Sequence, residues 1–147
     1  MTITVAIAND HGGLELKAFL KIQTFSTPIE WLDLGTNTND SVDYPDYGYK
    51  LAECVANGEA QYGIAICGSG IGISIACNRN PDIRAAVCTN TTMARLTRID
   101  NNANILSLGA RLTGELLAKD IVETFLTTPF EAGGRHERRV KKLKTTN

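Results

Sequence analysis

Short apolar runs alternate along this chain with longer stretches whose apolar positions recur every three or four residues. The runs at residues 3–8, 29–34, 62–67, 83–88 and 103–108 read as strands. The third is apolar almost throughout, as befits a strand covered on both faces. Helical spacing fills the intervals at 13–25, 47–56, 71–77, 91–98 and 113–126. Gly133 and Gly134 then break the chain before a last helix at 135–144. Cap residues mark several starts: Asp46 for the second helix, Asn90 or Thr91 for the fourth and Thr113 for the fifth, with Pro129 beyond the fifth.

Strands alternating with helices predict one α/β domain over residues 1–147. The expected form is Rossmann-like and doubly wound, with a five-stranded parallel sheet in the order 2-1-3-4-5 and helices on both faces. In such a sheet ligands sit beyond the strand C-termini where the strand order reverses, here between the first and third strands. The first strand runs into Asp10, His11, Gly12 and Gly13, and the third into Cys67, Gly68, Ser69 and Gly70. The two turns richest in reactive groups are therefore expected to meet.

Composition narrows the class. A length of 147 residues supports a real core, and 43% hydrophobic with 21% charged residues is ordinary for a soluble domain. No apolar run reaches membrane-spanning length and no signal-like segment opens the chain, which predicts a cytoplasmic protein without a membrane partner. Cys54, Cys67, Cys77 and Cys88 show no CxxC pairing and no interleaved histidines, so reduced thiols are expected, not a metal site or disulfides. The net charge is −1, yet residues 135–147 carry six of the fifteen basic side chains and one acid, Glu137. No aromatic residue interleaves with them, which speaks against nucleic acid and for a phosphate or a second subunit.

The most informative stretch is 64–79, where an apolar run ends in Cys67 and a turn of Gly68, Ser69, Gly70, Ile71 and Gly72 leads into a helix. Glycines at a strand-to-helix turn let backbone N–H groups face one point and hold an anion. The same array stabilises a thiolate, the form of cysteine that acts as base or nucleophile. A buried cysteine is often only a small hydrophobe, which suits Cys54, Cys77 and Cys88; the glycine turn sets Cys67 apart. The spacing is not G-x-G-x-x-G after a first strand, which leaves a dinucleotide fingerprint weak, and no GK[ST] is present, which excludes a nucleotide P-loop.

Asp10 can cap the first helix, but at the reversal point it and His11 face substrate. Arg111 follows the fifth strand, again at the ligand end. Tyr44 falls in a long loop after the second strand, and Asp100, Asn101 and Asn102 close the fourth helix. Arg135 and Arg139 share one helical face, a phosphate clamp or else a solvated basic face. With only Val140 and Leu143 as apolar anchors, that helix is expected to lie across another subunit, and His136 either joins it at the site or stands exposed.

Together these residues resemble the ribose-5-phosphate isomerase B family, within a wider group that includes galactose-6-phosphate isomerase subunits. The resemblance rests on Asp10-His11-Gly12-Gly13, Asp43-Tyr44-Pro45, the segment 66–73, Ala76-Cys77-Asn78, Ile83-Arg84, Asn101 with Asn104, Gly109-Ala110-Arg111, and Gly133-Gly134-Arg135-His136 with Arg139. It implies a homodimer or homotetramer with sites at the dimer interface, and aldose–ketose isomerisation of ribose 5-phosphate and ribulose 5-phosphate without metal or cofactor. By resemblance Cys67 is the base, with Ser69 and Asp100 the other catalytic positions. Gly68, Ser69, Gly70, Ile71 and Gly72 form the anion hole. Asp10, His11, Tyr44 and Asn101 contact the sugar, and Arg111, Arg135 and Arg139 hold the phosphate, some from the neighbouring subunit. One position departs from the family pattern: Asp100 stands where the family has a ring-opening histidine. Alternatives are an isomerase of a six-carbon sugar phosphate such as allose or galactose 6-phosphate, a non-catalytic phosphosugar-binding protein, and a flavodoxin-like cofactor binder, the last disfavoured because nothing resembles a flavin clamp.

Overall fold

In a computed structural model, which describes residues 1–144, five strands form one parallel sheet: β1 (Ile3–Asn9), β2 (Ile29–Asp33), β3 (Tyr62–Cys67), β4 (Ala85–Val87) and β5 (Ile105–Gly109). The helices among the described residues are α1 (Leu14–Lys21), α2 (Tyr44–Ala56), α3 (Ile71–Cys77), α4 (Thr91–Asn101), α5 (Glu115–Thr127) and α6 (Arg135–Leu143), with a 3-10 turn at His11–Gly13.

The order is β2-β1-β3-β5-β4, which corrects the expected 2-1-3-4-5. Burial accounts for the exchange. All five residues of β5 are buried, whereas β4 has three residues, each only half-buried. A fully buried strand needs ladder partners on both edges, and a short half-exposed one suits the edge. The reversal between β1 and β3 is unaffected. The helices do change sides: with right-handed crossovers, the step back from β4 to β5 puts α4 with α1 and α5, opposite α2 and α3. The packing of α2 on α3, α4 on α5 and α1 on α5 matches this.

Alternation along the strands divides the core. Val5, Ile7, Ile64, Ile66, Leu106 and Leu108 face Leu16, Leu20, Ile121 and Phe125. Ala6, Ala8, Ala65, Cys67 and Ile105 face Leu51, Val55, Ile73 and Cys77, the small residues letting α2 and α3 come close. Two caps shift the boundaries. Asp43, not Asp46, precedes α2 with Pro45 in the first turn, so Tyr44 begins a helix instead of lying in a loop. Gly114 precedes α5 and Thr113 is buried beneath it. Asn90 caps α4 as expected, its side chain accepting from Met93 N–H at 2.8 Å. Lys17 is 3% exposed, and its ammonium donates to Asp33, the Thr36 carbonyl and Asn37, tying the β2–α2 loop to α1.

Candidate active site

The fold brings the turns after β1 and β3 together at the C-terminal edge of the sheet. They enclose a cavity of about 620 Å³ lined by Asp10, His11, Tyr44, Cys67, Gly68, Ser69, Ile71, Gly72 and Arg111, with Gly12 and Leu112. Cys67 is the last residue of β3, and its Sγ accepts the Gly70 N–H at 3.2 Å. Gly70 itself turns inward, buried with φ +77°, and a Cβ there would stand 2.7 Å from the Leu108 carbonyl carbon. Only glycine fits both the left-handed backbone and the space.

The amides of this turn are not all free. Gly70 N–H is committed to Cys67 and Ile71 N–H to Ser69 Oγ at 3.1 Å. Gly68 and Ser69 N–H have no acceptor among the described residues, and Gly72 N–H lies in the first turn of α3, where no preceding carbonyl is in reach. The donor row expected over 68–72 thus narrows to Gly68, Ser69 and Gly72.

Arg111 follows β5; its N–H donates to the Gly68 carbonyl at 3.0 Å, and a Cβ at Gly68 would stand 3.4 Å from its Nε. Its guanidinium is exposed and has no carboxylate partner among the described residues. Asp10 Oδ1 accepts Gly12 N–H at 2.9 Å, so the side chain caps the 3-10 turn while still reaching the cavity. His11 Nδ1 accepts the Val42 N–H at 3.1 Å. That bond needs a lone pair on Nδ1, which leaves the ring proton on Nε2 as a donor. The Tyr44 ring covers Gly72, where a Cβ would meet ring carbons at 2.7 Å. The other cysteines are set apart by burial, which pushes the Cys77 thiol up to about 12 and Cys88 up to about 11. Cys54 is raised by burial and by Glu59.

Besides the inward-turned Gly70, four expected residues do not join this cavity within their own chain. Asp100 and Asn101 end α4, next to Asn104, whose carbonyl accepts Gly63 N–H near the start of β3. They therefore lie at the N-terminal edge of the sheet, the opposite edge from Cys67. Asp100, Asn101, Arg139 and His136 surround a separate space of about 200 Å³ with Val140 and Leu143. Arg135 and His136 border an adjoining one of about 560 Å³. His136 Nε2 stands 3.7 Å from Asp100 Oδ1. α6 rests on α4 of its own chain and buries none of its residues.

Two features escape a sequence-only reading. Val42 acts through its main chain, so no residue type marks it. Leu112 borders the cavity only because β5 ends beside β3. Among the described residues no three His, Cys, Asp or Glu side chains gather as metal ligands, and no helix is long and apolar enough to cross a membrane.

Comparison with known proteins points one way. Residues 5–143 match the family model described as Ribose/Galactose Isomerase. The chain is 42% identical to ribose-5-phosphate isomerase B of Escherichia coli K12, over 95% of this chain and 93% of that one. A ribose 5-phosphate isomerase crystal structure from Thermotoga maritima superposes with a TM-score of 0.93 at 51% identity, covering 98% and 99% of the two chains. Ribose-5-phosphate isomerase B of Clostridium thermocellum is similar at 52% identity, with a TM-score of 0.88 over 97% and 95%.

Proposed function

Since the chain belongs to the Ribose/Galactose Isomerase family, we propose that this sugar-phosphate isomerase interconverts ribose 5-phosphate and ribulose 5-phosphate through an enediolate. The observation that carries this reading is the cavity that gathers Cys67 with loop amides and an Arg111 guanidinium that have no partner among the described residues. The proton on the carbon beside a carbonyl leaves slowly in water, so the reaction needs a placed base and donors aimed at the oxygen that gains charge. Cys67 moves the proton between C2 and C1. Gly68, Ser69 and Gly72 N–H groups hold the enediolate oxygen. His11 Nε2–H and Asp10 bind sugar hydroxyls, and Arg111 meets the phosphate with a planar fork.

The partner copy of a homodimer completes the site. Asp100, Asn101, Arg135 and Arg139 lie too far round the sheet to serve their own Cys67, and a two-fold axis would present them to the neighbour's cavity. Ile71 and Ile75, one turn apart on α3, and Leu112 stand exposed as an apolar rim suited to that contact. A cytoplasmic location fits a chain that acts on a charged, water-soluble sugar phosphate.

A second reading has its own observation. A space of about 290 Å³ shares His11 and Gly12 with the main cavity and continues past Asn39 and Thr113. It offers room for a six-carbon sugar phosphate, so kcat/KM should be compared for ribose, allose and galactose phosphates.

The deciding experiment is incubation with ribose 5-phosphate in D2O. Deuterium should enter C1 of the ketose product, and Cys67→Ser should slow both exchange and conversion by at least about a hundredfold while phosphate binding persists. Tight binding without exchange in the parent protein would make the chain a phosphosugar-binding protein instead.

A further inference from the structure

We propose that Ser107 is a positioning residue for the reaction: its buried hydroxyl fixes the Gly70 peptide and, through it, the N–H that faces the Cys67 sulfur. This rests on the isomerase reading above, in which Cys67 is the base. Ser107 is the one polar side chain of β5 and is fully buried. Alternation along the strand turns it to the face that α3 covers, with Cys67 and Ile73. A hydroxyl in such a place costs stability unless it is bonded, and it donates to the Gly70 carbonyl at 2.5 Å. The bond crosses from β5 to the turn after β3, which the pairing of β5 with β3 makes possible.

Gly70 has no side chain to resist rotation, so its φ of +77° is one conformation among several open to it. Its two peptide groups are held separately. The peptide before it gives its N–H to Cys67 Sγ at 3.2 Å, and the peptide after it gives its carbonyl to Ser107. That second peptide also carries the Ile71 N–H, which donates to Ser69 Oγ at 3.1 Å. With this oxygen accepting, the Ser69 proton is free to point into the cavity that Ser69 lines. One hydroxyl on β5 thus steadies both a donor to the base and a donor toward substrate.

Gly70 is also the residue before α3, where a carbonyl accepts the first bond of the helix ladder. Removing the Ser107 hydroxyl therefore leaves that carbonyl paired and the helix in place. What is lost is the second tether. The turn can then rotate about Gly70, and the N–H swings away from the sulfur whose thiolate it stabilises.

Two rates test this. Ser107→Ala should lower kcat for ribose 5-phosphate at least about threefold, the weight of one hydrogen bond. KM should stay within about twofold, because the lost contact serves the reacting proton and not substrate binding. Alkylation of Cys67 by iodoacetamide at neutral pH, followed by mass spectrometry of its peptide, should slow by a similar factor. Threonine and valine have nearly the same shape, so Ser107→Thr should keep both rates above those of Ser107→Val. A merely structural role would not separate that pair. Where the larger side chains do not fit, Ser107→Ala decides alone. A Val variant as fast as Thr, or an Ala variant that loses stability but keeps both rates, overturns the assignment. If the folded parent converts no pentose phosphate, the isomerase reading falls, while the alkylation rates still decide whether Ser107 acts on Cys67.

Discussion

At the scale of single residues, the turn after β3 is specified by space as much as by chemistry. Gly70 and Gly58 share a φ of +77°, but a Cβ at Gly70 would collide with Leu108 and Gly109 while none of the surroundings of Gly58 lies within 4 Å. Gly58→Ala should therefore cost only the left-handed penalty, about 1–2 kcal/mol. Gly70→Ala adds a backbone clash and a displaced donor to Cys67, and should cost about 2 kcal/mol more than Gly58→Ala. Urea unfolding of the two variants checks this; equal losses would mean the turn can move away from β5. Cys67 was legible beforehand because a cysteine at a glycine turn is unusual in type and place. The donor it accepts from was not, since Gly70 N–H gains its role from a positive φ.

At the scale of elements, α1 and the β2–α2 loop are joined by an ion cluster in which Lys17 is buried and Asp33 and Lys21 are half-buried. Burial alone would push the Asp33 carboxyl up, but Lys21, the Gly35 amide and Lys17 outweigh it and hold it below the usual value of 3.8. A carboxyl lowered in the folded state favours folding above its unfolded pKa, and that contribution is lost as pH falls through the lowered native value. Stability should therefore be flat in this term above about pH 5 and decline below about pH 4. Asp33→Asn should be less stable at pH 6 yet show a shallower acid decline, measured by urea unfolding between pH 6 and pH 3. A parallel decline would remove Asp33 from the acid response. The same cluster holds the loop whose Val42 N–H binds His11, so this packing reaches the cavity wall.

At the scale of the whole molecule, the cavity and the α4–α6 cluster sit at opposite edges of one sheet. If subunits share sites, neither Cys67→Ser nor Arg139→Ala should turn over well alone. Mixed after subunit exchange, they should recover toward roughly a quarter of parental activity, because half the dimers are hybrids with one intact site each. No recovery, with exchange shown by mass spectrometry, would place each complete site within one chain.

Sequence by itself determined the parallel α/β class, the span of β3 and α3, the reversal between β1 and β3, and the meeting of Asp10, His11 and Cys67 there. Those follow from periodicity and turn residues, which are local. Tertiary structure alone decided that β5 lies inside β4, because full burial of 105–109 is a competition among strands for the centre and not a property of either run. That exchange set α4 on the face it shares with α1 and α5; the end of α4 lies away from Cys67 in either order, because it leads into the N-terminal end of β5, and the packing of α6 on α4 brought His136 near Asp100. Pairing across 36 residues of chain depends on which helices share a face, and helical spacing describes one helix at a time.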